Sequence, residues 1–310
     1  MKPMKELKFV NEAMFGRKYR KWSYVETFFF LLKEGMNKLM SKIYGRLSSW
    51  LFLRKWRKKG KNGRYFDFNG IKLPDVPTRG VIFQLMTIFQ DTFLSYCFFD
   101  DRYDKPFVET LDKYLKEGPY GYVDGAFDVT VKQGDVVIDA GAWIGDFSAY
   151  SAAKGAMSYA FEPLEQTFQA LCKTAEFYTG SIHPIQKGLG AKTQELIITS
   201  SKEMLDSGSS IVMKNEHHVK EEKIVVTTLD QFVAENNLSK IDFIKADIEG
   251  AERDMLRGAS HVLKTFAPKL AICTYHLSDD PQVLEQIILD INPNYKVIHL
   301  RHKLFAAVIK

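Results

Sequence analysis

The stretch Val136-Val-Ile-Asp139-Ala-Gly141-Ala142-Trp143-Ile-Gly145-Asp146 reads as a buried strand, a glycine-containing turn and the start of a helix. A turn of this kind lets backbone N–H groups approach a ligand, with a helix N-terminus behind them. Glycine suits the turn because a side chain would block the approach or need positive φ. Glu162-Pro163 ends the next apolar run, 23 residues after Asp139. A carboxylate at the tip of a second strand is placed to accept both hydroxyls of an adenosine ribose. Further on, Asp247 ends one apolar run and His276 follows the next.

These residues favour one adenosine ligand over another. A dinucleotide calls for G-x-G-x-x-G around its pyrophosphate. Here Trp143 holds the middle position and the spacing is Gly141-x-x-x-Gly145. Asp139 and Asp146 flank the loop, and carboxylates repel a pyrophosphate but suit a sulfonium and an ammonium group. The expected cofactor is therefore S-adenosylmethionine, gripped by Asp139, Gly141, Ala142, Trp143, Gly145, Glu162 and Pro163. Methyl transfer needs an acceptor atom held in line with the sulfonium carbon and, where that atom carries a proton, a place for the proton to go. His276 is the expected base, since an ordinary imidazole titrates near ~6.5. The alternative is a histidine that holds the loop at Ser278–Asp280. Asp247 and Glu249 are the other expected catalytic residues, with Asp247 alternatively an N-cap. Glu249 and Glu252, one turn apart on an expected helix, either accept sugar hydroxyls or complement that helix's N-terminus. No metal is expected: Asp247, Glu249 and His276 could in principle hold a divalent ion, but no compact His/carboxylate spacing demands one.

The elements that must position these groups alternate from about residue 134. Expected strands are Val136–Ala140, Met157–Phe161, Ile182–Gln186, Leu196–Thr199, Lys223–Thr227, Phe243–Ala246 and Leu270–Tyr275. Expected helices are Gly145–Lys154, Leu164–Tyr178, Leu229–Glu235, Glu249–Arg257 and Pro281–Asp290. The chain closes on a hairpin of Tyr295–Leu300 and Leu304–Ile309. Such alternation predicts an α/β, Rossmann-like doubly wound, mostly parallel seven-stranded sheet with a C-terminal antiparallel hairpin, plus a helical basic N-terminal extension. Ligands bind outside the carboxyl ends of strands in such sheets, where Asp247 and His276 fall.

In order along the chain, Asp139-Ala-Gly-Ala-Trp-Ile-Gly-Asp, Ala160-Phe-Glu-Pro163, Thr228-Leu-Asp230, Ile244-Lys-Ala-Asp247-Ile-Glu249-Gly-Ala-Glu252, Tyr275-His276 with Asp279-Asp280, and Leu300-Arg301-His302 resemble the FkbM-type methyltransferase family. The resemblance runs from about Gly134 to the C-terminus. The family most often has Asn where this chain has Trp143, a change to the wall near the cofactor. The resemblance implies O-methylation of hydroxyl groups, often on sugars or polyketides, and so a small-molecule or glycan substrate. A nicotinamide-dependent oxidoreductase and a non-catalytic polyanion or membrane adaptor are the competing readings. Trp143 with its flanking aspartates weighs against the first, and the intact loop with Glu162 against the second.

Charge divides the 310 residues unevenly. Residues 1–64 hold 18 Lys and Arg against four Glu, a net of +14, and the remainder, with 25 basic and 34 acidic residues, is −9. The expected organisation is a basic amphipathic helical extension (1–64), a cap or linking region (65–130) and a methyltransferase domain (131–310). Apolar residues between Phe28 and Trp56 recur at helical spacing beside the basic cluster Arg54–Lys61. Residues 28–61 could dock on an anionic membrane surface or an acidic glycan, or cover the protein's own core. Lys59–Gly63 reads as a linker, residues 65–73 as a hairpin turning at Asn69-Gly70, residues 107–116 as a helix, and Glu117-Gly-Pro-Tyr-Gly as a loop covering the cofactor. His217-His218 reads as a solvated loop. Cys97, Cys172 and Cys273 fit neither a disulfide framework nor a zinc cluster and are expected as free thiols. No apolar run is long enough to span a bilayer and no secretory signal opens the chain. The expected location is cytoplasmic, with peripheral contact on the inner membrane face, and no nucleic-acid partner is expected.

Overall fold

The computed structural model describes residues 53–61, 63–76, 85, 120–201, 218–300 and 302–309. The helices expected over 28–56 and 107–116 lie outside these residues except for 53–56, which are helical. His217, Arg301, Cys97 and the start of the Glu117 loop lie outside as well.

β1 (Arg57–Gly60), β2 (Gly63–Phe68) and β3 (Ile71–Pro74) form an antiparallel sheet. The expected linker at Lys59–Gly63 is instead the end of β1 and its turn, closed by the Gly60–Gly63 pair, and residue 64 falls inside β2. The next turn sits on Asn69 and Gly70, at φ 54° and 100°, as an Asn-Gly hairpin requires. Phe66, Phe68, Ile71 and Leu73 point inward and share an apolar cluster with Trp56, Phe147 and Tyr150. Trp56 is 5% exposed, its ring 5.4 Å from Phe68. Of the two readings of the aromatic stretch, Trp56 therefore follows the core-covering one. β4 (Tyr122–Asp124) and β5 (Phe127–Val129) make a hairpin, anchored where Tyr122 stacks on Phe305 at 5.4 Å.

The remaining elements follow in the expected order. They are β6 (Val136–Ala140), α1 (Asp146–Ala153), β7 (Met157–Phe161), α2 (Glu165–Ala175), β8 (Ile182–Ile185), β9 (Gly188–Leu189), β10 (Gln194–Ser201), β11 (His218–Thr227), α3 (Leu229–Glu235), β12 (Phe243–Ala246), α4 (Glu252–Arg257), α5 (Ser260–Thr265), β13 (Lys269–Cys273), α6 (Asp280–Ile291), β14 (Tyr295–Leu300) and β15 (Lys303–Val308). Seven strands form the main sheet in the order β14-β15-β13-β12-β6-β7-β8. The five from β13 to β8 run parallel, and β15 runs antiparallel to both its neighbours. Strand order reverses between β6 and β12, so the crevice for a ligand opens at their carboxyl ends. β9, β10 and β11 form a separate sheet. Thr228 caps α3 by accepting the Gln231 N–H at 3.0 Å, and Asp230 accepts the His261 and Val262 N–H groups at the start of α5. Among the described residues no helix is long and apolar enough to cross a membrane.

β6 and β12 are buried along their whole length, which explains their unbroken apolar runs. Two charged residues break the pattern, Asp139 and Lys245, and they are register partners. Lys245 Nζ lies 3.0 Å from Asp139 Oδ1 and donates to the carbonyls of Gly141 (2.6 Å) and Ala140 (3.2 Å). Ser148 Oγ donates to the other Asp139 oxygen at 2.7 Å. Removing one member of a buried pair leaves an uncompensated charge, at a cost of about 3–5 kcal/mol. Lys245→Met should lower unfolding free energy in urea by about that much, whereas Ser148→Ala should cost only about 1 kcal/mol. Equal, small losses would show that the pair does not hold the two strand tips together.

Candidate active site

The cofactor end is built from the tips of β6 and β7. Gly141 and Ala142 donate their N–H groups to the Phe161 carbonyl at 3.0 and 2.9 Å, which docks the turn on β7. Gly141, Trp143 and Gly145 all have positive φ, 73°, 50° and 85°. A Cβ on Gly141 would run into the Asp247 carbonyl oxygen, so the glycine serves the approach of β6 to β12 rather than the approach of a ligand. A Cβ on Gly145 would crowd Leu171 and Thr174 of α2. The Trp143 indole packs in the large apolar cluster and is only 8% exposed, so the side chain serves the core more than a cofactor wall.

Glu162 points at this turn. Its Oε2 accepts the Trp143 N–H and its Oε1 the Leu164 N–H, both at 3.1 Å. Each carboxylate oxygen can accept a second donor, so the pair retains capacity for two vicinal hydroxyls. Burial pushes the Glu162 pKa up to about 7, against the pull of the two N–H donors and of Lys245. Pro163 follows at the mouth of the β7 tip, half-buried. Asp146, in the first turn of α1, is pushed up to about 6 by burial, partly offset by Lys245. Asp139 is wholly buried, and its carboxylate is taken up by Lys245 and Ser148. Burial would depress the Lys245 pKa, but Asp139, Asp247 and Asp146 hold it above the ordinary value, so the cation persists.

The second polar centre lies past β12 and β13. Asp247 Oδ2 accepts the Tyr120 hydroxyl at 2.8 Å, and Oδ1 the Tyr275 hydroxyl at 3.0 Å. Burial, followed by the Asp247 charge, pushes both phenols up, so both remain donors. Burial would also raise the Asp247 pKa, but the Lys245 ammonium, Tyr120, His276 and Tyr275 hold it below the usual range. Asp247 is not an N-cap: α4 starts after Ala251. Glu249 is outside the helix, at φ 55° in the turn before it. The two glutamates therefore do not share a helical face. Glu252 is wholly buried and accepts the Ile248 and Gly250 N–H groups at 2.8 and 3.0 Å, shaping the turn rather than meeting a sugar.

His276 sits among three carboxylates. Nδ1 lies 3.0 Å from Glu252 Oε1, and Nε2 lies 3.5 Å from both Asp247 Oδ1 and Glu249 Oε2. Burial would lower the ring's pKa, but Glu252, then Asp247 and Glu249, outweigh it and hold it above the ordinary value. The shift is toward the protonated ring, the reverse of what a general base needs. Arg253 braces the following loop, with Nη2 2.6 Å from Asp279 Oδ1 and Nε 2.8 Å from Asp280 Oδ1.

Every residue expected at the site lies at the carboxyl ends of β6, β7, β12 and β13 or in the turns that follow. Sequence reasoning missed Lys245, Tyr120 and Tyr275. Lys245 had a legible signal, a charge inside an otherwise apolar strand that must answer Asp139. Tyr120 lies in the Glu117-Gly-Pro-Tyr-Gly loop expected to cover the cofactor, but its bond to Asp247, 127 residues away, had no sequence signal.

The model of the FkbM methyltransferase domain matches residues 139–297, just over half of the chain. The chain is 30% identical over 161 residues to Methyltransferase 1 of Beauveria bassiana, a match covering 44% of this chain and 64% of that protein, less than two-thirds of its length. It is 25% identical over 172 residues to the hexuronic acid methyltransferase AglP of Haloferax volcanii, covering 54% of this chain and 67% of that protein. Among solved structures, methyltransferase FkbM from Methylobacillus flagellatus KT is 25% identical, with a TM-score of 0.44, over 56% of this chain and 43% of that one. The family match sets aside the nicotinamide-dependent reading. The chain belongs to the FkbM methyltransferase family, and its C-terminal half carries the S-adenosylmethionine-dependent domain of that family.

Proposed function

We propose that this protein is an O-methyltransferase that transfers the methyl group of S-adenosylmethionine to a sugar hydroxyl in a polysaccharide, a lipid-linked glycan or a related metabolite. The observation that carries the reading is the Glu162 carboxylate bonded to the Trp143 N–H of the glycine turn. Glu162 thereby lies against the glycine turn, and its oxygens keep capacity for the two hydroxyls of one adenosine ribose. The kinship with a hexuronic acid methyltransferase supports a sugar acceptor.

S-adenosylmethionine supplies an electrophilic methyl group on a positively charged sulfur. The protein's own part is to hold the acceptor oxygen in line with that carbon, since orientation provides much of the acceleration. The new O–CH3 bond takes an oxygen electron pair, the S–CH3 pair returns to sulfur, and the hydroxyl proton passes to solvent water. Asp247, Glu249 and His276 form the acceptor end, where Tyr120 and Tyr275 fix the Asp247 carboxylate. Asp247 and Asp146 present negative charge toward a cationic cofactor.

Residues 28–61 are the proposed contact with an anionic membrane face, which would bring a lipid-linked acceptor to the site. Within the described part, Lys58, Lys59 and Lys61 are exposed on the β1–β2 hairpin. Their combined change to Glu should abolish co-sedimentation with phosphatidylserine vesicles; unchanged co-sedimentation would remove this contact from the proposal.

Radiolabelled methyl transfer into total glycan and lipid extracts tests the reading directly. Wild type should label a glycan fraction with an alkali-stable ether, and His276→Ala should abolish labelling while retaining S-adenosylhomocysteine binding. Stoichiometric cofactor binding with no labelling of any fraction would favour an adaptor instead. The cofactor end adds a pH test. Ribose hydroxyls donate to an ionised carboxylate, so affinity for S-adenosylhomocysteine should be high above about pH 7 and fall as pH drops through that value, where Glu162 gains its proton. In Glu162→Gln the affinity should be lower by roughly 10-fold and lose that acid limb. An unaltered pH profile in the variant would exclude Glu162 from the ribose.

A further inference from the structure

The polar centre past β12 and β13 contains an arrangement that neither the loop nor the cofactor accounts for. The His276 side chain is 0% exposed, and neither ring nitrogen meets hydrogen-bond geometry, although Nδ1 lies 3.0 Å from Glu252 Oε1. A buried ring nitrogen without a partner calls for an explanation. Nε2 points between two carboxylates and lies 3.5 Å from an oxygen of each. That distance is too long for a hydrogen bond. It is close to the ~3.4 Å that separates neighbouring ligand atoms around a tetrahedral ion with bonds of about 2.1 Å.

We propose that Asp247, Glu249 and His276 form a divalent-metal site with an open position toward the acceptor. The three ligand atoms lie within 4.8 Å of one another. The surroundings are those of a metal-ligating histidine, whose other ring nitrogen characteristically donates to a carboxylate. Here Nδ1 faces the buried Glu252 at 3.0 Å, which leaves the Nε2 lone pair for an ion. Glu252 is itself fixed by the Ile248 and Gly250 N–H groups. Asp247 is oriented by two tyrosine hydroxyls. Glu249 is held at φ 55°, a conformation unusual for a glutamate, in the turn that brings its carboxylate to the ring. A second grouping, Glu252, His276 and Asp280, is as compact. There the Arg253 guanidinium pairs with Asp280 at 2.8 Å and its positive charge opposes a cation, so the ion belongs on the Nε2 side.

One imidazole and two carboxylates suit Mn²⁺ or Zn²⁺ better than Ca²⁺, which takes six to eight oxygens. Three protein ligands leave room for the acceptor hydroxyl. Coordination lowers the pKa of a bound oxygen, so the hydroxyl can give its proton to solvent water at neutral pH before its oxygen pair attacks the methyl carbon. His276 then serves by holding the ion. This catalytic use rests on the methyltransferase reading, but occupancy of the site does not.

The test separates the two. Full-length protein is stripped with EDTA, dialysed and titrated calorimetrically with MnCl2 and ZnCl2, and in parallel with S-adenosylhomocysteine. Wild type should bind one ion per chain. Glu249→Gln and His276→Gln should weaken ion binding by at least about 10-fold, with cofactor binding unchanged as proof of an intact fold. No saturable ion binding by wild type up to 1 mM, or equal ion affinity in wild type and both variants, would overturn the metal site and leave the methyltransferase reading standing. Ion binding without any cofactor binding would support the site while defeating that reading.

Discussion

Asp139 and Lys245 lie side by side in a sheet whose neighbouring positions are apolar, at the point where strand order reverses. Charges buried this deeply are tolerated only when they answer each other and their remaining hydrogen-bonding capacity is satisfied. Lys245 meets that demand by reaching past Asp139 to the Ala140 and Gly141 carbonyls, at the place where β6 becomes the glycine turn. The pair therefore sets the separation of the two strand tips and the start of the turn together. The close approach of Gly141 to the Asp247 carbonyl is a result of the same crossing.

From that crossing the two halves of the site diverge. On the β7 side, backbone amides converge with Glu162, a carboxylate kept dry and therefore responsive to a ligand that can replace its missing water. On the β13 side, Asp247 accepts the Tyr120 and Tyr275 hydroxyls and faces His276, which faces Glu249 at the same distance. The Lys245 charge is felt in both halves, since Asp139 and Asp247 both raise its pKa. Carboxylates thus outnumber the buried ammonium in this region.

Much of this was legible in the residues. Strands β6, β7, β12 and β14 and helix α3 have the bounds their patterns predict, most sharply β6 and β12, where both-face burial gives apolar runs with polar ends. The Asn69-Gly70 turn was equally plain, since few residue pairs tolerate positive φ in succession. What escaped notice was tertiary. Glu249 falls in a left-handed turn that Glu252 shapes by capping, whereas its sequence reads as helix. Gly141 looked like clearance for a ligand and is clearance for β12. Asp139 looked like a partner for the cofactor and answers Lys245. Local patterns locate strand tips, but they do not say which side chain a neighbouring strand will supply.

The central claim is that one adenosine is gripped between the Gly141 turn and Glu162. A crystal structure with S-adenosylhomocysteine tests it most directly. Both ribose hydroxyls should lie within about 2.6–3.2 Å of the Glu162 carboxylate oxygens, with the sulfur directed toward Asp247 and His276. A ligand bound elsewhere, or a ribose out of reach of Glu162, would contradict the account.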